Sequence, residues 1–100
     1  MGANTFFTEA SGKNAKEAFK LAVEDACYDY GHAGYTGSIA EKDSYVCIPC
    51  PDGIDAYDYA DQLIEEGDPR IDSKWGPAGC ILLSEGEEGN RYLFFGWASS

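Results

Sequence analysis

A chain of 100 residues is enough for one domain with a single core and too short for two. Fourteen aromatic residues argue against disorder, and no run reaches the roughly 18 apolar residues that a membrane helix requires. Eighteen acids against seven bases leave a net charge of −11, a field that repels phosphates; it excludes direct nucleic-acid binding and favours a basic partner.

Taken in order, the chain opens without the basic start or apolar run of a secretion signal, so a cytoplasmic location is expected. Asn4 to Ala10, with Phe6 and Phe7 among threonines, reads as a first strand, and Ser11-Gly12-Lys13 as a turn. Asn14 is placed to cap a helix, with Glu17 three residues on in a capping-box arrangement. Ala15, Ala18, Phe19, Ala22, Val23, Ala26 and Tyr30 then form one apolar stripe, and Gly31 supplies the stop.

The segment from Tyr30 to Lys42 holds three glycines in seven residues, the single histidine and several hydroxyls, which predicts a shaped loop rather than a plain connector. Two short strands are expected next, Thr36 to Ala40 and Ser44 to Ile48, joined as a hairpin through Glu41-Lys42-Asp43. Pro49 and Pro51 end the second. Asp55 caps a second helix from Ala56 to about Glu66 that stops at Gly67. A long loop with Trp75 leads to a buried strand from Gly79 to Ser84, a polar turn from Glu85 to Asn90, and an aromatic last strand from Arg91 to Trp97.

The predicted architecture is a single α+β domain over residues 1–100, of order β-α-β-β-α-β-β. Both helices are expected on one face of an antiparallel sheet, as a ferredoxin-like variant. Arg91 to Trp97 reads as an edge strand that could pair across a homodimer.

Three groups of residues carry candidate chemistry. Tyr28, His32 and Tyr35 could stack on a planar ligand while Thr36, Ser38 and loop amides hold a phosphate or carboxylate; the spacing of Gly31, Gly34 and Gly37 matches neither a dinucleotide fingerprint nor a P-loop. Cys47-Ile48-Pro49-Cys50 has the form of a redox pair or half a zinc site. Helix two starts too late to lower the first thiol's pKa, however, and only Cys27, Cys80 or His32 could complete a metal set without a second knuckle. No cofactor is expected, and with no nucleophile elbow around Ser38 or Thr36 an enzyme is the weaker reading.

The third group is acidic. Residues 51–100 carry eleven acids and three bases, against seven and four in residues 1–50. Asp58, Asp61 and Glu65 recur at spacings of three and four and so share one helix face, flanked by Asp55 at its start and by Glu66 and Asp68 at its end. With Trp75 as an anchor, this face is the expected partner-binding surface. Glu85, Glu87 and Glu88 form a second acidic cluster in the last turn.

The run Gly31-His32-Ala33-Gly34-Tyr35-Thr36-Gly37-Ser38-Ile39-Ala40-Glu41-Lys42, with Lys74-Trp75-Gly76-Pro77-Ala78-Gly79-Cys80, resembles segments of short uncharacterised proteins of bacteriophages and their hosts. The resemblance covers about a fifth of the chain and carries over no site residue. It implies a phage or mobile-element accessory protein, a setting in which small acidic domains block host factors, defence nucleases included. Together these features predict an acidic interaction protein that blocks a basic host protein; the alternative is a nucleotide-like ligand held at the 31–42 glycine loop.

Overall fold

Asn14 and Asp55 begin the two helices by the same chemistry, a side-chain oxygen turned onto amides that have no partner within the helix. In the computed structural model, which describes residues 3–30, 39, 42–72 and 76–99, the elements are β1 (Ala3–Gly12), α1 (Ala15–Tyr30), β2 (Tyr45–Cys47), α2 (Ala56–Glu66), β3 (Ala78–Gly86) and β4 (Gly89–Ser99). Asn14 Oδ1 accepts from the Glu17 amide at 2.9 Å, and Glu17 Oε1 accepts in return from the Lys13 amide at 3.4 Å, one residue before the expected position. Asp55 accepts from Tyr57 and Asp58. At the far end of α2, Gly67 adopts the left-handed conformation (φ 69°), where a side chain would be strained; its amide and that of Asp68 reach back to Ile64 and Leu63.

Four strands lie in the order β1-β4-β3-β2. β4 is central and runs antiparallel to both β1 and β3, whereas β2 pairs parallel with β3. The domain is therefore α+β with a mixed sheet, which corrects the expected arrangement in several details. Among the described residues the partner of β2 is β3, in parallel, with Tyr45 opposite Ala78 and Cys47 opposite Cys80. The expected strand over 36–40 falls outside the described residues apart from Ile39, which is buried in a short helical turn closed by the Lys42 amide at 2.9 Å. Nor is Arg91 to Trp97 an edge, since β4 is hydrogen-bonded on both sides and cannot pair across a dimer.

The helices also lie on opposite faces of the sheet, not on one. Alternation along β4 sends Tyr92, Phe94 and Ala98 into a core with Ala18 and Ala22 of α1, and Leu93 and Phe95 into a second core with Ala60, Leu63 and Ile64 of α2. Handedness accounts for it. β1 to β2 crosses the sheet from edge to edge and β2 to β3 steps back, so two crossovers of one hand must use different faces.

The α1 side is aromatic: Phe94 meets Phe19 at 5.5 Å, Tyr45 at 6.0 Å and Tyr92 at 6.3 Å between ring centroids. On the α2 side, the Phe95 ring lies over Gly79 directly across the β3–β4 pairing, where a Cβ would overlap it. No described helix is long and apolar enough to cross a membrane.

Candidate functional site

Because Ala60, Leu63 and Ile64 of α2 are buried against β3 and β4, the 3.6-residue repeat turns Asp58, Asp61 and Glu65 to solvent, and all three are exposed. α2 carries four acids, Asp58, Asp61, Glu65 and Glu66, and no Lys or Arg. Around this row the structure sorts the remaining expected site residues by what already occupies them. Asp55 is spent on the cap. Asp68 faces Arg70, whose Nε, Nη2 and backbone amide each lie 2.9 Å from its carboxylate, and these bonds hold its pKa down at about 2. Glu66 accepts from the Gln62 amide at 3.1 Å. Trp75 lies outside the described residues.

The ion pairs among the described residues are Arg70–Asp68 and Arg91–Glu9, and neither involves Asp58, Asp61 or Glu65. Asp58, in the first turn, suits the helix dipole, but the rest of the row does not. Like charges three and four residues apart repel by about 0.2–0.5 kcal/mol per pair, and Glu65 and Glu66 stand at the negative end of the helix dipole with no base in the last turn.

Beside the row lies an apolar ledge that sequence reasoning missed. Phe7 of β1 and Tyr57 of α2 are half exposed with their rings 6.1 Å apart, and Ile54 just before the helix is exposed as well. Glu9 fixes the ledge: it accepts a short hydrogen bond from the Tyr57 hydroxyl, which raises the phenol's pKa, and its other oxygen takes Arg91 Nη2 at 2.8 Å. Phe7 and Tyr57 are fifty residues apart in sequence, and no local signal joins them. Glu85, Glu87 and Glu88 are exposed in and beside the β3–β4 turn, which the strand directions set at the same end of the sheet as the first turn of α2.

Of the alternative ligand residues, Tyr28 projects from α1 and is 90% exposed, while His32, Tyr35, Thr36 and Ser38 lie outside the described residues. At the described border of that segment Lys42 is buried and donates to the Gly76 carbonyl at 2.8 Å; burial lowers its pKa. A groove of about 620 Å³ opens next to it between α1 and β2, lined by Phe19, Tyr45, Lys16 and Lys20, with Glu24 and Asp43 also on its wall.

Cys47 and Cys50 border one cavity but differ in exposure and partners. Cys47 is exposed on β2, whereas the half-buried Cys50 thiol donates to the carbonyls of Pro51 at 3.6 Å and Ile54 at 3.4 Å. Among the described residues no group of three His, Cys, Asp or Glu side chains is placed to hold a metal ion. Compared with protein-family models, curated proteins and solved structures, the chain matches none.

Proposed function

We propose that this protein is a small acidic interaction protein that blocks a basic, nucleic-acid-binding host protein in the host cytoplasm and, on its resemblance to phage accessory proteins, serves as an anti-defence inhibitor. The observation that carries this reading is the exposed row Asp58, Asp61 and Glu65, which no ion pair among the described residues neutralises. At a rise of 1.5 Å per residue the carboxylates follow one another at about 4.5 and 6 Å along the axis, the length scale of phosphates along a nucleic-acid strand. The ledge of Phe7 and Tyr57 adds apolar and aromatic area beside the charge, which is the composition of an interface centre next to a charged rim.

The test is affinity capture from a bacterial host lysate with and without duplex DNA as competitor. The wild-type protein is expected to retain a basic protein that DNA displaces. Reversing Asp58, Asp61 and Glu65 together to Lys should abolish that capture while the far-ultraviolet circular dichroism stays unchanged, and undiminished capture by the folded variant would defeat the proposal.

A second reading has one observation in its favour. Lys16 and Lys20 line the same groove as the Phe19 and Tyr45 rings, a pairing of positive charge with aromatic surface suited to a nucleotide-like ligand. Thermal-shift screening with nucleotides and mass spectrometry of the purified protein would retire it if no ligand shifts the melting point and none co-purifies.

A further inference from the structure

The parallel pairing of β2 with β3 sets Cys47 directly opposite Cys80, a relation that the Cys47-Ile48-Pro49-Cys50 motif does not suggest. Adjacent strands lie about 4.8 Å apart, inside the range of about 4.4–6.8 Å that the Cα atoms of a disulfide span. Both side chains belong to the α1 face of the sheet and line one cavity of about 410 Å³ with Leu82 and Tyr92. α1 packs over β1 and β4 and leaves this end of the face open. Cys47 is therefore exposed while Cys80, at 2% exposure, is not. β2 is a three-residue strand at the sheet edge, bonded on one side and followed by Pro49, so the small approach that a bond requires is opposed by little.

We propose that Cys47 and Cys80 are a redox dithiol, oxidised by hydroperoxides to a reversible disulfide that ties β2 to β3. Cys47 reacts first, being the accessible thiol. Its thiolate attacks one peroxide oxygen; the O–O bond breaks, an S–O bond forms, and the departing oxygen takes a proton and leaves as water when the oxidant is hydrogen peroxide. The Cys80 sulfur then attacks the Cys47 sulfenic sulfur, the S–O bond breaks, and the hydroxyl leaves with the Cys80 proton as a second water. Two thiols lose two electrons in all, and the peroxide gains them. Burial, followed by the charge and hydrogen bonding of Cys47, raises the Cys80 pKa, so Cys80 remains a thiol at neutral pH and acts as the donor beside Cys47. Cys50 also borders this cavity, but its thiol is engaged by the Pro51 and Ile54 carbonyls and it has no place in the β2–β3 register. The bond would link the two ends of the β2-α2-β3 unit that carries the acidic row.

The experiment treats the reduced full chain with hydrogen peroxide, blocks the remaining thiols by alkylation, and maps peptides by mass spectrometry with and without a dithiol reductant. A monomer lighter by two hydrogens, with a Cys47–Cys80 crosslinked peptide that the reductant removes, is expected, and the oxidised protein should melt several degrees higher. Cys50→Ala should still form the bond, and Cys47→Ser, at an exposed position, should abolish it. A link from Cys47 to Cys50 or Cys27, stable sulfenic or sulfinic acid on Cys47 without a link, or a Cys80 that remains alkylatable would each overturn the proposal.

Discussion

α1 meets its side of the sheet through the buried alanines Ala18 and Ala22, whereas α2 meets the other side through Leu63 and Ile64 together with Ala60. The alanines let α1 lie close and leave the filling of space to the rings of Phe19, Tyr45, Tyr92 and Phe94, which reach across from helix and sheet alike. On the other side Leu63 and Ile64 of α2 meet Ile48, Ile71, Ile81, Leu93 and Phe95 from the sheet and the loops. The charged residues of α2 are four acids with no base, while α1 mixes Lys16 and Lys20 with Glu17 and Glu24. The contrast teaches that the two faces of one sheet are covered by helices of different kind, a small-residue helix under a ring cluster and an aliphatic helix with a wholly acidic charge set. The α1 side, with an open cavity and two facing thiols, keeps its reactive groups next to the core instead.

The largest effect expected from breaking this comparison comes from Phe94→Ala. Phe94 is fully buried and touches three other rings, so its truncation should lower the urea unfolding free energy by about 3–5 kcal/mol. Hydrogen exchange should show α1 losing protection before α2. Equal loss in both helices would mean that the two cores act as one.

A smaller change sharpens the other side. Asp55→Ala leaves the amides of Tyr57 and Asp58 without their acceptor and should cost about 1 kcal/mol, read from the same urea curves, with fraying confined to the first turn of α2. If the cap also orients the acidic row, capture of the basic partner should weaken in the same variant.

The smallest effect is a pH dependence from Asp68. Its folded-state pKa, about 2, lies below the ordinary 3.8, so its pairing with Arg70 stabilises the fold above that ordinary value and the contribution fades as pH falls through about 2. Arg70 is partly exposed, and solvent screening keeps the gain small. Urea midpoints measured between pH 5 and pH 2 should fall more for the wild type than for Asp68→Asn, and parallel curves would show that the pair adds nothing.

The carboxylate row was legible because it depends on a helix period alone, and so was the competition for Asp55, a residue of capping type at a helix start. Arg70 lies two residues beyond Asp68, and that neutralisation was also within reach of a local reading. The ledge of Phe7 and Tyr57 was not, since a strand and a helix in different halves of the chain meet only once α2 has docked. The β4 sequence from Tyr92 to Ala98 held a hint that went unused: a strand apolar at nearly every position is buried on both faces, which calls for a covering layer on each.

By itself the chain's sequence determined both helices, with their caps at Asn14 and Asp55 and the stop at Gly67, and the β3–β4 hairpin. Each of these is settled by groups within a few residues of one another, where hydrogen bonding and apolar periodicity suffice. Tertiary structure alone decided that β2 lies parallel to β3, that the helices take opposite faces, and that Cys47 faces Cys80 instead of Cys50. Strand order and the hand of the crossovers are properties of the assembled sheet, and no stretch of sequence short enough to read locally contains them.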